Sequence, residues 1–475
     1  MLEIPNADAF VEALKSEFIT LSDHIWDIPE LRYDETQSSI AHARILEKHD
    51  FAVTRNVSDI PTALMGESGE AGPVIAFLGE FDALAGLSQE AGVARHKPLE
   101  PGGNGHGCGH NLLGAASLLA AVAARDHLRK NKLPGRIRYY GCPAEEGGSG
   151  KTFMARDGAF DGLDAILTWH PGPLNSIMPA RSLANIQVYF RFHGRASHAA
   201  ASPELGRSAV DAMELMSMGV QYLREHMPSS ARIHSAIING GGISPNVVPD
   251  FAEVLYLIRH ADFREVQSLF ERVKKIAEGA ALMTETRMEA EMDKACSSLL
   301  INNVMNEVLH AQLTRLQNAG FDAKDHKFAE QIRATLTDKD MRAAYNMLGQ
   351  VPPADVPLLA EDIYPVPAPE TPLPGSTDVA DASWQAPLAQ CMAATAAVGT
   401  PMHSWQLVAQ GKSSVAHKGM VFVAKALAGA GVSLLQDQDL LAQAQQEYQQ
   451  RIAATPYLCP IGPEVKLPFR RHAGR

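Results

Sequence analysis

The chain has 475 residues, with 42 lysines and arginines against 54 aspartates and glutamates, a formal net charge of −12. That is about two to four domains' worth of chain, and 46% hydrophobic with 20% charged residues excludes a disordered polypeptide. An acidic chain without a basic stripe argues against nucleic acid as a partner. No apolar run approaches the roughly 20 residues of a spanning helix, so no membrane partner is expected.

The N-terminal stretch, amphipathic over 7–20, lacks the basic start and apolar block of a secretory signal. Five scattered cysteines, Cys108, Cys142, Cys296, Cys391 and Cys459, argue against a disulfide framework and for a reducing cytoplasm. A second helix is expected from about Glu35. Strand-like TALMG and PVIAFLGEF follow, and then a Gly-rich loop, GHGCGHN, leads into the apolar helix LLGAASLLAAVAARDHL. GRIRYYGCPA reads as a strand ending in Glu145-Glu146, and DAILTWHPG as a strand ending at His170. Strands alternating with helices predict an α/β domain with a mixed, largely parallel sheet, whose site residues gather at the carboxyl ends of strands.

From about residue 185 the pattern changes. NIQVYFRFHGR alternates with period two; a helix, the strands ARIHSAIING and FAEVLYLIRH, a second helix and TRMEAEMDKA follow. This β-α-β-β-α-β order matches the ferredoxin-like split unit. It predicts an inserted α+β lid or dimerisation domain over 185–298, between catalytic segments 1–184 and 299–475. Much of the proline falls in 350–375, read as an extended surface excursion of the catalytic domain.

Five constellations can carry chemistry. Cys108 and His110, two apart in a glycine-flanked loop, can face one ion. In Glu145-Glu146, one carboxylate can hold a metal while its neighbour serves as general base. His170 closes an apolar strand, where a histidine is more often structural; its position after two other candidate loops favours a ligand. His403 in GTPMHSW is the favoured last ligand, with His417 in SSVAHKG the competitor. In the predicted insertion, His198, Asn246 and Arg259 could meet a substrate if that domain closes over the site, the arginine pairing with a carboxylate.

These motifs, with HIWDIPELRYDETQSS, GEFDAL, GRASHAAASPELGRSAVD, GGGISPNVVPDFAEVLYLIR and GSTDVAD, span most of the chain. Together they resemble the M20 metallopeptidases, in their aminoacylase-like amidohydrolase branch. Within it the chain looks like the B-type subunits that act on p-aminobenzoyl-glutamate. The resemblance implies a zinc-peptidase-like catalytic domain and two divalent ions, manganese or zinc. Cys108, His110, Glu146, His170 and His403 match its metal ligands and Glu145 its general base. His198 matches an oxyanion-stabilising residue that often reaches across a dimer, Asn246 and Arg259 match substrate contacts, and Asp82 a supporting position. It also implies hydrolysis of the amide of an N-acyl amino acid, by a homodimer joined through the small domain or a hetero-oligomer with an A-type chain. A dipeptidase is the alternative, and a non-catalytic regulatory partner is a further one. Two departures bear on the substrate: GEFDALAG replaces a Met- or Ile-Asp-Ala-Leu-Pro segment, and Thr377 stands where a glutamate is usual.

Overall fold

The computed structural model describes residues 5–178, 182–368 and 375–469. The first half holds helices α1 (Asp8–Asp27), α2 (Thr36–Lys48), α3 (His110–Asn131) and α4 (Gly150–Arg156). Its strands are β1 (Ala52–Arg55), β2 (Leu64–Ser68), β3 (Val74–Glu80), β4 (Arg136–Cys142), β5 (Ala165–Gly172) and β6 (Ser176–Ile177).

A second sheet is built from β7 (Ala184–His193), β8 (Arg232–Asn239), β9 (Phe251–His260) and β10 (Arg287–Cys296), with α5 (Ala209–Leu223) and α6 (Phe263–Thr284). The chain then returns through α7 (Asn303–Leu316), α8 (Ala323–Arg333), α9 (Asp338–Met347) and α10 (Val379–Ser383). The last elements are β11 (Leu388–Ala394), α11 (Trp405–Gln410), α12 (Ser414–Gln436) and α13 (Gln438–Ala454).

The main sheet runs β1-β2-β4-β3-β5-β11-β6. Its centre, from β4 to β11, is parallel, and the outer pairs are antiparallel. Every residue of β3 and β11 is buried. Helices cover both faces, which is why these strands read as continuous apolar runs. Helix α3 is almost wholly buried and packs on β3, α1 and α12. Small residues permit that approach: a Cβ at Gly114 would stand 2.6 Å from the Glu80 carbonyl oxygen.

The second sheet runs β10-β7-β9-β8 with antiparallel neighbours, the expected split-unit order. Period-two alternation sends Ile186, Val188, Phe190, Val254, Tyr256 and Ile258 under α5 and α6. Asn185, Gln187, Leu257 and Arg259 point to the opposite, helix-free face.

Some expectations need correcting. Helix α12 is apolar and long enough, by composition, to cross a membrane. It escaped notice because alanines and glycines dilute its pattern; its 89% burial makes it a core helix. The edge strand β1 went unread because its four residues are mostly exposed. His170 does not end its strand, since β5 continues to Gly172. The proline-rich stretch is anchored rather than peripheral: Leu359 and Ala360 are buried, and Ile363 bridges to Asn175. Residues 369–374 of that stretch lie outside the described residues.

His42 in α2 shows the core's electrostatic demand. It lies buried between Phe81 and Tyr139, with Nδ1–H donated to the Ser38 carbonyl and Nε2 unpartnered among the described residues. Burial holds its pKa down at about 4. The unfolded imidazole titrates near 6.5, so the folded state binds fewer protons, and stability present above pH 6.5 is lost as pH falls towards 4. The loss from this group is about 3 kcal/mol. Urea unfolding at stepped pH should show that slope, and His42→Gln should flatten it; equal slopes in the two chains would contradict the assignment.

Candidate metal centre

The carboxyl ends of β3, β4 and β5, with the loop after β11, deliver the candidate ligands to one place, as parallel sheets do. The Gly-rich loop ends at Gly109, whose left-handed φ of 75° turns the chain into α3. Cys108 and His110 flank that turn, and both are buried. The Cys108 Sγ is 3.4 Å from Nε2 of His170.

Hydrogen bonds fix the imidazole tautomers. Nδ1 of His170 faces the Pro171 carbonyl oxygen at 2.8 Å, and that of His110 faces the Asp82 Oδ1 at 2.9 Å. A carbonyl or carboxylate oxygen only accepts, so both Nδ1 atoms carry the proton. Both Nε2 atoms face the site. Burial holds the His170 pKa down at about 4, which leaves its Nε2 lone pair free. Against burial, Cys108 and Asp82 raise the His110 pKa, and Glu80 Oε2 lies 3.2 Å from its Nε2, so His110 can ligate only once a cation displaces the Nε2 proton. The other Asp82 oxygen accepts the Glu146 N–H at 2.8 Å. One carboxylate therefore orients two candidate ligands.

His403 completes the group and His417 does not. His403 Nε2 lies 3.2 Å from Glu146 Oε1, and its N–H is held by the Gly107 carbonyl. Its φ of 56° is left-handed, unusual for a residue with a Cβ. His417 instead pairs with Asp23.

The donor atoms form three overlapping groups, Cys108–His110–His170, Cys108–Glu146–His403 and Glu80–His110–Glu145, each within 4.8 Å. His110 Nε2, 3.2 Å from Glu80 Oε2, and Glu146 Oε1, 3.2 Å from His403 Nε2, are buried with these ion-pair neighbours but without a well-aligned hydrogen bond among the described residues. Acceptor atoms that face one another across a small space fit cations there, and the thiolate, imidazole and carboxylate set suits zinc or manganese. Burial, reinforced by Glu146, pushes the Cys108 thiol up. Burial, Glu80 and Glu146 push Glu145 well above the ordinary carboxylate range. Burial opposes ionisation of Glu146 too, but His403 and His110 win and hold it at about 2.

Two supports went unread in the sequence. Lys151, fully buried, joins Glu80 Oε1 at 2.5 Å and Asp378 Oδ1 at 2.8 Å. Segment 32–35 braces the catalytic loop: Arg32 donates to the Gly147 carbonyl, Tyr33 to the Gly148 carbonyl, and Glu35 accepts from the Ala144 N–H. Lys151 lies just past Glu145-Glu146, and RYDE lies within HIWDIPELRYDETQSS, but neither motif announces these pairings.

The lid residues divide into two sets. His198 and Asn246 are exposed and adjoin: His198 bridges Val247, and the Ala199 N–H reaches the Asn246 carbonyl. They lie beyond the start of β9, whereas Arg259 stands near its other end, paired in register with Asn185. Among the described residues neither His198 nor Asn246 is hydrogen-bonded to the ligand cluster.

The model of Peptidase family M20/M25/M40 matches residues 76–342. The chain belongs to that family. It is 49% identical to the B-type subunit of the p-aminobenzoyl-glutamate hydrolase of Escherichia coli (strain K12), over 96% of this chain and 97% of that one. Among solved structures, a putative aminohydrolase of methicillin-resistant Staphylococcus aureus superposes with a TM-score of 0.63 at 18% identity, covering 90% of this chain and 98% of that one. A dinuclear metal binding peptidase of the M20 family from Bacillus subtilis gives 0.55 at 18% identity, covering 90% and 99%. The fold is shared, and the chain is an M20 hydrolase.

The Glu80–Lys151–Asp378 triad carries a test. Lys151→Met removes the buried ammonium that joins Glu80 and Asp378, and should cost about 3–5 kcal/mol in denaturant unfolding. A cost below about 1 kcal/mol would show that the triad is not a buried ion network.

Proposed function

We propose that this chain hydrolyses the amide bond of an N-acyl amino acid, with an aryl acyl group such as that of p-aminobenzoyl-glutamate. One observation carries the reading: Glu145 adjoins a cluster of thiol, imidazole and carboxylate donor atoms, in a chain 49% identical over nearly its whole length to a B-type subunit of a hydrolase of that compound. Cys108, His110, Glu146, His170 and His403 would hold two divalent ions, manganese or zinc. When bound, these supply a Lewis acid and lower the pKa of water.

The chain's own residues do the rest. Glu145 takes the proton of the attacking water and returns it to the leaving amine. Its anionic neighbours raise its basicity, which suits that exchange. Asp82 keeps His110 in the ligating tautomer. His198 Nδ1 accepts the Ala200 and Ala201 N–H groups at 3.2 and 3.0 Å, so its proton is on Nε2, ready to be donated to a developing oxyanion. Arg259 serves the carboxylate of the amino acid.

His198 and Asn246 lie at the far end of β9 from Arg259, which supports their acting on the site of a second copy. Strand β8 is an open edge of its sheet, with Ile237 and Ile238 exposed, and exposed Met218 and Tyr222 on α5 add apolar surface. That surface suits a homodimer; the relative's designation as a B-type subunit makes a related A-type chain the other occupant. The five cysteines are free thiols, which suits a reducing cytoplasm.

The metal-loaded chain should cleave p-aminobenzoyl-glutamate. Glu145→Gln should keep its metal content and lose about 10²–10⁴-fold in kcat. His198→Ala should also be inactive, and co-expression with Glu145→Gln should restore about a quarter of wild-type activity, from hybrid dimers holding one intact site. Absence of recovery would overturn the cross-subunit role, and undiminished turnover by Glu145→Gln would overturn the mechanism.

A further inference from the structure

We propose that Lys294, with Arg32 beside it, is the specificity residue for a second carboxylate on the substrate, so that the site selects N-acyl dicarboxylic amino acids. The inference rests on the amide-hydrolase reading above and assigns one part of its substrate.

The sheet register brings the cations together. Lys294 on β10 pairs with Gln187 on β7, Gln187 with Leu257 on β9, and Asn185 with Arg259. These positions alternate with the residues packed under α5 and α6, so Lys294 and Arg259 share the helix-free face. They stand two strands and two residues apart, about 12 Å between Cα atoms from the strand spacing and rise. Two side chains of that length can converge on the two ends of one small dicarboxylate.

That face looks onto the catalytic loop. A Cβ built on Gly147, the residue after Glu145-Glu146, would stand 3.4 Å from Arg32 Nη1 and 3.6 Å from Lys294 Nζ. A β-bulge sets the aim: between Met292 and Lys294 the register slips, and Asp293 is the extra residue. Its carboxylate accepts from Gln187 Nε2 at 2.6 Å and lies 3.6 Å from Arg32. Asp293 thus answers Arg32 and leaves Lys294 alone. Lys294 is half-buried, without a hydrogen bond or ion pair among the described residues. Arg259 Nε is likewise buried and unpartnered. Two cations without counterions on one face, beside the general base, fit a ligand that brings two carboxylates, and their partial desolvation is recovered only when it binds.

The test compares N-benzoyl-glutamate with its neutral isostere N-benzoyl-glutamine, using the full metal-loaded chain, Lys294→Met and Lys294→Arg. Lys294→Met should lower the glutamate-to-glutamine ratio of kcat/KM by about 10- to 100-fold, mainly through KM, and Lys294→Arg should keep most of it. An unchanged ratio in Lys294→Met overturns the proposal. The same ligands are titrated calorimetrically into Glu145→Gln and Glu145→Gln/Lys294→Met. Selective binding of the glutamate compound that depends on Lys294 supports the subsite even if wild type turns over neither ligand, in which case the hydrolase reading alone fails. Equal binding of both ligands, or of neither, overturns the subsite.

Discussion

The organising constraint is an excess of negative charge in a small, buried volume. Glu80, Asp82, Cys108, Glu145, Glu146 and Asp378 meet where three parallel strands end, and Lys151 is the buried ammonium among them. Burial alone raises the cost of each ionised group, and each neighbour raises it again. Such a site is stable with its groups ionised only when cations enter, and the Nε2 atoms of His110 and His170 are aimed to receive them. The charge that makes the empty arrangement costly is the charge that binds metal and makes Glu145 a strong base.

The architecture then decides who holds what. The sheet brings loops from distant sequence together, and Asp82 ties two of them by taking the His110 Nδ1–H and the Glu146 N–H. Segment 32–35 grips the Glu145–Gly148 loop from behind, with Tyr33 and Ala144 both at positive φ. The inserted sheet carries Lys294 and Arg259 on one face, with Lys294 close to Gly147 and Arg32. Its distal tip holds His198 in the donor tautomer, well away from Arg259 on the same strand pair. This division supports a site completed by a second copy of the chain.

Much of this was legible in the sequence, for physical reasons. Buried parallel strands leave continuous apolar runs, the lid leaves period-two alternation, and Cys108-Gly-His110 and Glu145-Glu146 are adjacent enough to read as single chemical units. What stayed hidden is what depends on tertiary pairing. Lys151 looks like any surface lysine until Glu80 and Asp378, far away in sequence, close on it. Arg32 and Glu35 look like helix-flanking charges. The four exposed residues of β1 and the two of β6 carry too little pattern to stand out. Helix α12 hid its apolar core behind alanine and glycine. The tautomers of His110, His170 and His198 follow only from which oxygen or N–H each Nδ1 meets.

Cys108 is common to two of the three donor groups, which makes it the sharpest probe of the whole account. The measurement is metal content and affinity, by elemental analysis after dialysis and by calorimetric titration, for the wild-type chain and Cys108→Ala. The account predicts two divalent ions per wild-type chain and the weakening of both in Cys108→Ala, because its sulfur belongs to two of the donor groups. A wild-type chain that binds no divalent ion, or a Cys108→Ala chain that keeps two at unchanged affinity, would contradict it.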